Sequence, residues 1–439
     1  MTTTHMPPPD QTSDTSDTSS TEAEQCSCPD YTTSRRAFLR NAGLVSAGAV
    51  TTTMFGDTLR QAAYGATNGN VMVVLSLRGG CDTMSLVVPH SDPGYYRARP
   101  TIAVPRSELI CADGSFGLHP SFQPLAPMWK SGKLAAVVAT GLKVANRSHF
   151  SAIEEIEDAD LSSEVRTGWI NRLIGLDQMR APLEAVSVGS GLLPTSLYGP
   201  EPTLSTVHPD DIDLAGPADA EAKRRRRRAL GQVWGQERGS LAVGARSSLA
   251  TTATLGTTLQ GGYRPAAGVI YPEGSFGEAM RDTAQLIKAK VGIEVVTLDH
   301  GSWDMHSNVG KLDAPAPASM NGMVTTMAKG LAAFFADLGA EGDRVTLVTL
   351  TEFGRRVKEN GARGLDHGWG NSTLVMGAGV RGGYHGRWPG LDDTVDGDLR
   401  VTTNYRSVLS EIVTSRFGVS TSAVFPNFQP ETVGVMRSG

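Results

Sequence analysis

The chain has 439 residues, enough for one large domain or two ordinary ones. Forty per cent of the residues are hydrophobic, Gly is frequent at 50 and the formal charge is −5, a composition unlike that of a coiled coil, a membrane bundle or a polybasic nucleic-acid binder. The four cysteines are too few for a disulfide scaffold.

The first 33 residues are rich in Thr, Ser, Asp and Pro, a composition that predicts disorder. Ser34-Arg35-Arg36-Ala37-Phe38-Leu39-Arg40 follows, and then the uncharged run Asn41 to Gly56. Paired arginines before a mildly apolar run predict a twin-arginine export signal, and hence a periplasmic or extracellular protein. The run is too short and too diluted by Gly, Ser and Thr for a stable membrane span. Small residues at Ala62, Ala63 and Ala66 offer a cleavage region, so the expected division is residues 1–66 as N-region and signal, and 67–439 as one domain. Cys26 and Cys28 fall in the segment to be removed. Cys81 and Cys111 could pair after export, which the sequence leaves open. Twin-arginine export carries folded proteins, which favours a mature protein with a metal aboard.

Val71–Leu77 is a short, continuous, β-branched run and predicts a strand buried on both faces. Arg78-Gly79-Gly80-Cys81-Asp82 ends it. Residues 90–117 predict a loop excursion, and His119–Lys130 a helix. Leu134–Thr140 is the second buried strand. Arg147-Ser148-His149-Phe150 then opens a helix with Ser148 at its N-cap. Residues 167–208 hold a short helix around Trp169 and a strand at Ala185–Val188. Residues 210–260 predict a polar, helical insertion. The run Lys223 to Arg228 lies within it, isolated from other basic or aromatic residues, so no nucleic-acid partner is expected. Phe276–Val291 has helical apolar spacing. Ile293–Leu298 is the third buried strand, followed by Asp299-His300-Gly301-Ser302-Trp303-Asp304-Met305-His306. Residues 318–338 predict a helix whose Met-rich face packs a core. Val345–Leu350 is the next strand, ending at Glu352, and Asp366-His367-Gly368 follows after a Gly-broken loop. Asn371–Met376, a hairpin at Arg381–Tyr384 and a helix over Tyr405–Phe417 complete the chain.

Strands alternating with helices predict a three-layer αβα sandwich with a mainly parallel sheet. Ligands of such sheets bind beyond the carboxyl ends of the strands. Asp82, Ser148 with His149, Asp304 with His306, and Glu352 with Asp366 and His367 all stand there. Carboxylates and imidazoles suit divalent Zn, Mn, Mg or Ca, as one or two ions. Two ions would clamp the attacking and leaving oxygens of a phosphoryl or sulfuryl transfer. Ser148 would then be the nucleophile, with Arg78 or Arg147 gripping an anionic ester. Ser148 also reads as a plain helix cap, and His149 as a surface residue or a ligand.

Five stretches carry a resemblance: LRGGCDTMSLVVP (77–89), RSHFSA (147–152), SWDMH (302–306), TEFGRRVKENGARGLDHGWGN (351–371) and GGYHGRWPGL (382–391). They resemble the exported bacterial family called domain of unknown function 1501, which is similar to the alkaline phosphatase/sulfatase superfamily. The resemblance implies an αβα fold and a two-metal site. By position it implies metal ligands at Asp82, Asp304, His306, Glu352, Asp366 and His367, with Ser148 as nucleophile. The chain departs from that pattern in three ways. Phe353 follows Glu352 where a histidine is expected, Asp304 and His306 stand only two apart, and no Cys/Ser-x-Pro-x-Arg motif occurs. Two functions stay open: a metal-dependent hydrolase of phosphate or sulfate esters, or a catalytically silent binding or assembly protein with an exported partner.

Overall fold

The apolar runs pair into one sheet in a computed structural model that describes residues 69–160, 166–176, 183–216, 219–259, 262–310, 312 and 316–437. The expected disordered region and export signal, residues 1–66, lie outside the described residues. The strands are β1 Val71–Leu77, β2 Leu134–Gly141, β3 Ala185–Val188, β4 Leu204–Thr206, β5 Val295–His300, β6 Val345–Leu350, β7 Asn371–Gly377, β8 Gly383–His385 and β9 Thr403–Asn404. Their order across the sheet is β8-β2-β7-β6-β1-β5-β3-β4, with β9 also on β2. Every pairing is parallel except the two made by β7, which runs antiparallel between β6 and β2.

β1 sits at the centre because it can be apolar on both faces. Val71, Val73, Leu75 and Leu77 enter one core with helices α5 (Ser275–Lys288) and α6 (Met320–Leu338). Met72 and Val74 enter the other, with α1 (His149–Asp158), α2 (Trp169–Ile174) and α7 (Tyr405–Phe417). Successive side chains of a strand point to opposite faces, so one seven-residue run holds both helical layers to the sheet. Each buried Leu, Phe or Met there contributes about 1.5–3 kcal/mol. The layers are the αβα sandwich expected from the sequence. The Met-rich face of α6 is core, with Met320, Met323 and Met327 buried.

Four local expectations change. The stretch after His119 is a 3-10 turn, Pro120–Leu125, leading into Ala126–Lys130, because Pro124 has no N–H for a continuous α-helix. Inside the expected loop at 90–117, Pro93–Ala98 is helical. The third strand begins two residues later than expected and carries Asp299 and His300 within it. There is no hairpin at Arg381–Tyr384: β7 is already flanked by β6 and β2, so the chain crosses to the open edge of β2, where β8 pairs parallel.

The expected insertion is a pair of helices, α3 (Ala220–Gly235) and α4 (Ser240–Thr258). The basic run lies on α3, none of whose residues is buried. Arg224 and Arg225 pair there with Glu221, and Lys223 with Asp213. Cys81 is buried, and both it and Cys111 are free thiols. No helix among the described residues is long and apolar enough to cross a membrane.

Candidate metal centre

Three adjacent parallel strands end level. Leu77 of β1 stands beside His300 of β5, and Ser76 beside Leu350 of β6. The loops after them share one edge. Because β7 is antiparallel, its first residue lies at that same edge, so the Asp366-His367 loop arrives there just before a strand begins. The helix after β2 brings His149.

The loops touch closely. Gly79, with φ at +105°, is pressed on the 303–304 backbone, where a Cβ would stand 2.8 Å from the Asp304 nitrogen. Gly364 abuts His306, whose carbonyl carbon would lie 2.0 Å from a Cβ. Asn360 clamps the second junction: its Nδ2 donates to the His306 carbonyl and to Asp366 Oδ1, both at 2.9 Å. The Leu365 N–H donates to the Met305 carbonyl (2.9 Å).

Three imidazoles converge. His149 Nε2 is 3.0 Å from His367 Nε2, and His306 Nε2 is also 3.0 Å from His367 Nε2. Asp304 joins them: its Oδ1 lies 3.0 Å from His306 Nε2 and 3.3 Å from His367 Nε2, and its Oδ2 3.5 Å from His149 Nε2. Each ring spends its other nitrogen outward. His149 Nδ1 donates to Glu352 Oε1 (2.8 Å), His306 Nδ1 to Asp366 Oδ1 (3.2 Å) and His367 Nδ1 to the Arg147 carbonyl (2.8 Å). In the neutral ring, a proton on Nδ1 leaves a lone pair on Nε2. The lone pairs of His149 and His306 therefore both lie beside that of His367, with the Asp304 carboxylate among them.

That donor set fits a metal ion. Donors bound to one ion at about 2.0–2.1 Å stand roughly 3 Å apart, the spacing found between these nitrogens. Outward Nδ1–H bonds to carboxylates and carbonyls are the usual support of ligating histidines. His149, Asp304 and His367 each offer an atom within 4.8 Å of the others. Phe353 forms an apolar floor, its ring 4.7 Å from both the His149 and His367 rings.

Asp304 is held from behind by Arg355, whose guanidinium is fully buried. Nη2 donates to Asp304 Oδ1 (2.5 Å), Nη1 to the Leu365 carbonyl and Nε to the Gly80 carbonyl. Burial works to raise the Asp304 carboxyl, but the hydrogen bond and charge of Arg355, with His306 and His149, prevail and hold it below the ordinary range. The hydrogen bond from Asn360, aided by His306, likewise lowers Asp366. Burial, and then the charge of Asp82, push the Cys81 thiol well up, so it offers no thiolate here.

The sequence-predicted residues therefore separate. Asp304, His306 and His367 come together, and Glu352 and Asp366 stand one bond behind as carboxylates that orient imidazoles. Asp82 does not join them: its carboxylate is closed by Arg99 (2.6 and 2.9 Å) and by the Ser85 hydroxyl (2.5 Å). Arg147 binds Asp396 and Asp398, and Arg78 binds Glu157 and Asp299. Ser148 is the exposed N-cap of α1 and makes no side-chain cap bond. His149, which the sequence left between surface and ligand, is the fourth donor. Arg99 carried no signal in its loop, whereas Arg355 lies inside the TEFGRR stretch.

Residues 272–417 match the family model described as "Protein of unknown function (DUF1501)", the family that the motifs resemble. No curated protein matches the chain. Among solved structures, the C-terminal periplasmic domain of EcEptC from Escherichia coli, in complex with Zn, is similar at 10% identity and a TM-score of 0.34, over 73% of this chain and 77% of that one. A second structure of that domain gives 10% and 0.35, over 87% and 94%. The lipoteichoic acid synthase LtaP from Listeria monocytogenes gives 10% and 0.32, over 77% and 74%. These likenesses are too distant to bear on activity.

Proposed function

Taking residues 272–417 as a DUF1501 segment, we propose that the chain is an exported, metal-dependent hydrolase of the alkaline phosphatase-like kind, acting on a small phosphate or sulfate ester. The observation that carries this reading is the convergence of His149, His306 and His367 Nε2 with the Asp304 carboxylate, each ring fixed through Nδ1. An imidazole-rich set favours Zn over Mn, Mg or Ca. When bound, such an ion polarises an ester oxygen and lowers the pKa of water.

The chain's own residues supply the rest. Glu352, Asp366 and the Arg147 carbonyl hold the three tautomers and make the rings more basic. Arg355 keeps Asp304 ionised and fixed. Ser148, exposed one residue before His149, stands at the N-terminus of the ten-residue α1, where free N–H groups favour an anion; it is the proposed nucleophile.

The test is elemental analysis and ester turnover of the mature protein. Stoichiometric Zn or Mn in the wild type, lost in Asp304→Ala and His367→Ala, with aryl phosphate or aryl sulfate hydrolysis lost in Ser148→Ala, is the expected result. A metal-free wild type that Asp304→Ala leaves unchanged sinks the reading. One observation favours the silent binding protein instead: the guanidiniums of Arg78 and Arg147 already have carboxylate partners, so neither stands free to grip an ester. A stable complex with another exported protein, without turnover, would support that second reading.

A further inference from the structure

Resting on the metal reading above, we propose that the chain holds one divalent ion, not two, and that buried Arg99 and Arg355 neutralise the carboxylates a second ion would need. Five observations lead there. Asp82, the strand-end carboxylate nearest in sequence to β1, has both oxygens on Arg99, and the two side chains are 2% and 0% exposed. Freeing Asp82 for an ion would strand a buried guanidinium that also donates to the Val357 and Arg356 carbonyls.

Asp304 is likewise partly spent. Its Oδ1 is taken by Arg355 and lies within 3.3 Å of two imidazoles, which leaves Oδ2 as its free corner. Glu352 and Asp366 are engaged behind the rings. Glu352 Oε1 accepts from both His149 Nδ1 and the Gly79 N–H, and Asp366 Oδ1 from Asn360 and His306. Next to Glu352, the buried ring of Phe353 stands against His149 and His367 and offers no donor. Among the described residues one group of three or more His, Cys, Asp or Glu brings donor atoms within 4.8 Å of one another, His149, Asp304 and His367, and it lies within this centre.

Arg355 is thus a positioning residue. It fixes one oxygen of Asp304 and sets a permanent positive charge beside the ligand. Arg99 fixes both oxygens of Asp82. The arrangement is a mononuclear centre with built-in cations.

The experiment is metal stoichiometry. The mature protein is stripped with a chelator, reloaded with excess Zn²⁺ or Mn²⁺, desalted, and read by native mass spectrometry and elemental analysis, with a binding isotherm alongside. The expected wild-type result is a plateau at one ion in a single step. Arg355→Met should still plateau at one ion but bind about 10- to 100-fold more weakly. The double variant Asp82→Asn/Arg99→Gln, which removes both buried charges together, should keep one ion at wild-type affinity. Two ions in the wild type, one of them lost in that double variant, would overturn the inference while leaving the metal reading intact. No ion in the wild type would remove the metal reading and this inference with it. Should the double variant fail to fold, the wild-type plateau alone decides.

Discussion

Asp82 and Asp304 start from the same position in the sequence logic, each just beyond a buried parallel strand, and each meets a fully buried arginine. Their fates differ in what else reaches them. Arg99 and Ser85 enclose Asp82 completely, so it is an ion pair of the core. Asp304 keeps a 38% exposed side chain and shares its oxygens with three imidazoles. A strand-end carboxylate can therefore offer an oxygen to a ligand only when its counter-charge leaves one facing outward. A buried pair contributes little net stability, yet breaking it by removing one partner is costly.

Variants can push on this difference from either side. The largest effect is expected from Arg99→Met, which leaves Asp82 buried and unpaired. It should lower unfolding free energy by about 3–5 kcal/mol in a guanidinium chloride titration, with metal stoichiometry unchanged. His306→Ala should do the reverse. In chelator its unfolding midpoint should match wild type, because the ring is half exposed, while Zn²⁺ affinity falls about 100-fold or more in a competition titration. If both variants lose stability and metal together, the two carboxylates are not functionally distinct.

Glu352→Gln tests the support behind the ring. It removes a charge but keeps an oxygen for the Gly79 N–H and His149, and should weaken Zn²⁺ binding by about 10- to 100-fold without abolishing it. Asn360→Ala loosens the clamp between the 306 and 366 loops, and should lower stability by about 1 kcal/mol. Neutralising Arg224 and Arg225 on α3 should change unfolding free energy by less than about 0.5 kcal/mol, because exposed pairs contribute little.

Much of this was legible in the residues. The runs that became β1, β2, β5 and β6 announce buried strands by their length and β-branching. Asp304, His306 and His367 could be placed because a strand end fixes where the following loop begins. Direction of a side chain is a different matter. Ser148 and His149 are neighbours in one motif, and only the packed helix turns His149 inward onto Glu352. Asp82 looked like a ligand because its partner, Arg99, enters from a Pro- and Gly-rich excursion seventeen residues on, and no periodicity marks that contact. The hairpin expected at Arg381–Tyr384 failed for a topological reason, since β7 had both of its edges taken.

The place of β1 in the sheet has one more consequence. The span matched by the family model begins at residue 272 and so contains Asp304, His306 and His367 but neither β1 nor His149. Yet β1 lies between β5 and β6, and β2 between β7 and β8. Cut out alone, residues 272–417 would be a sheet with its two seams missing, and the His306–His367 pair would lose its neighbour His149.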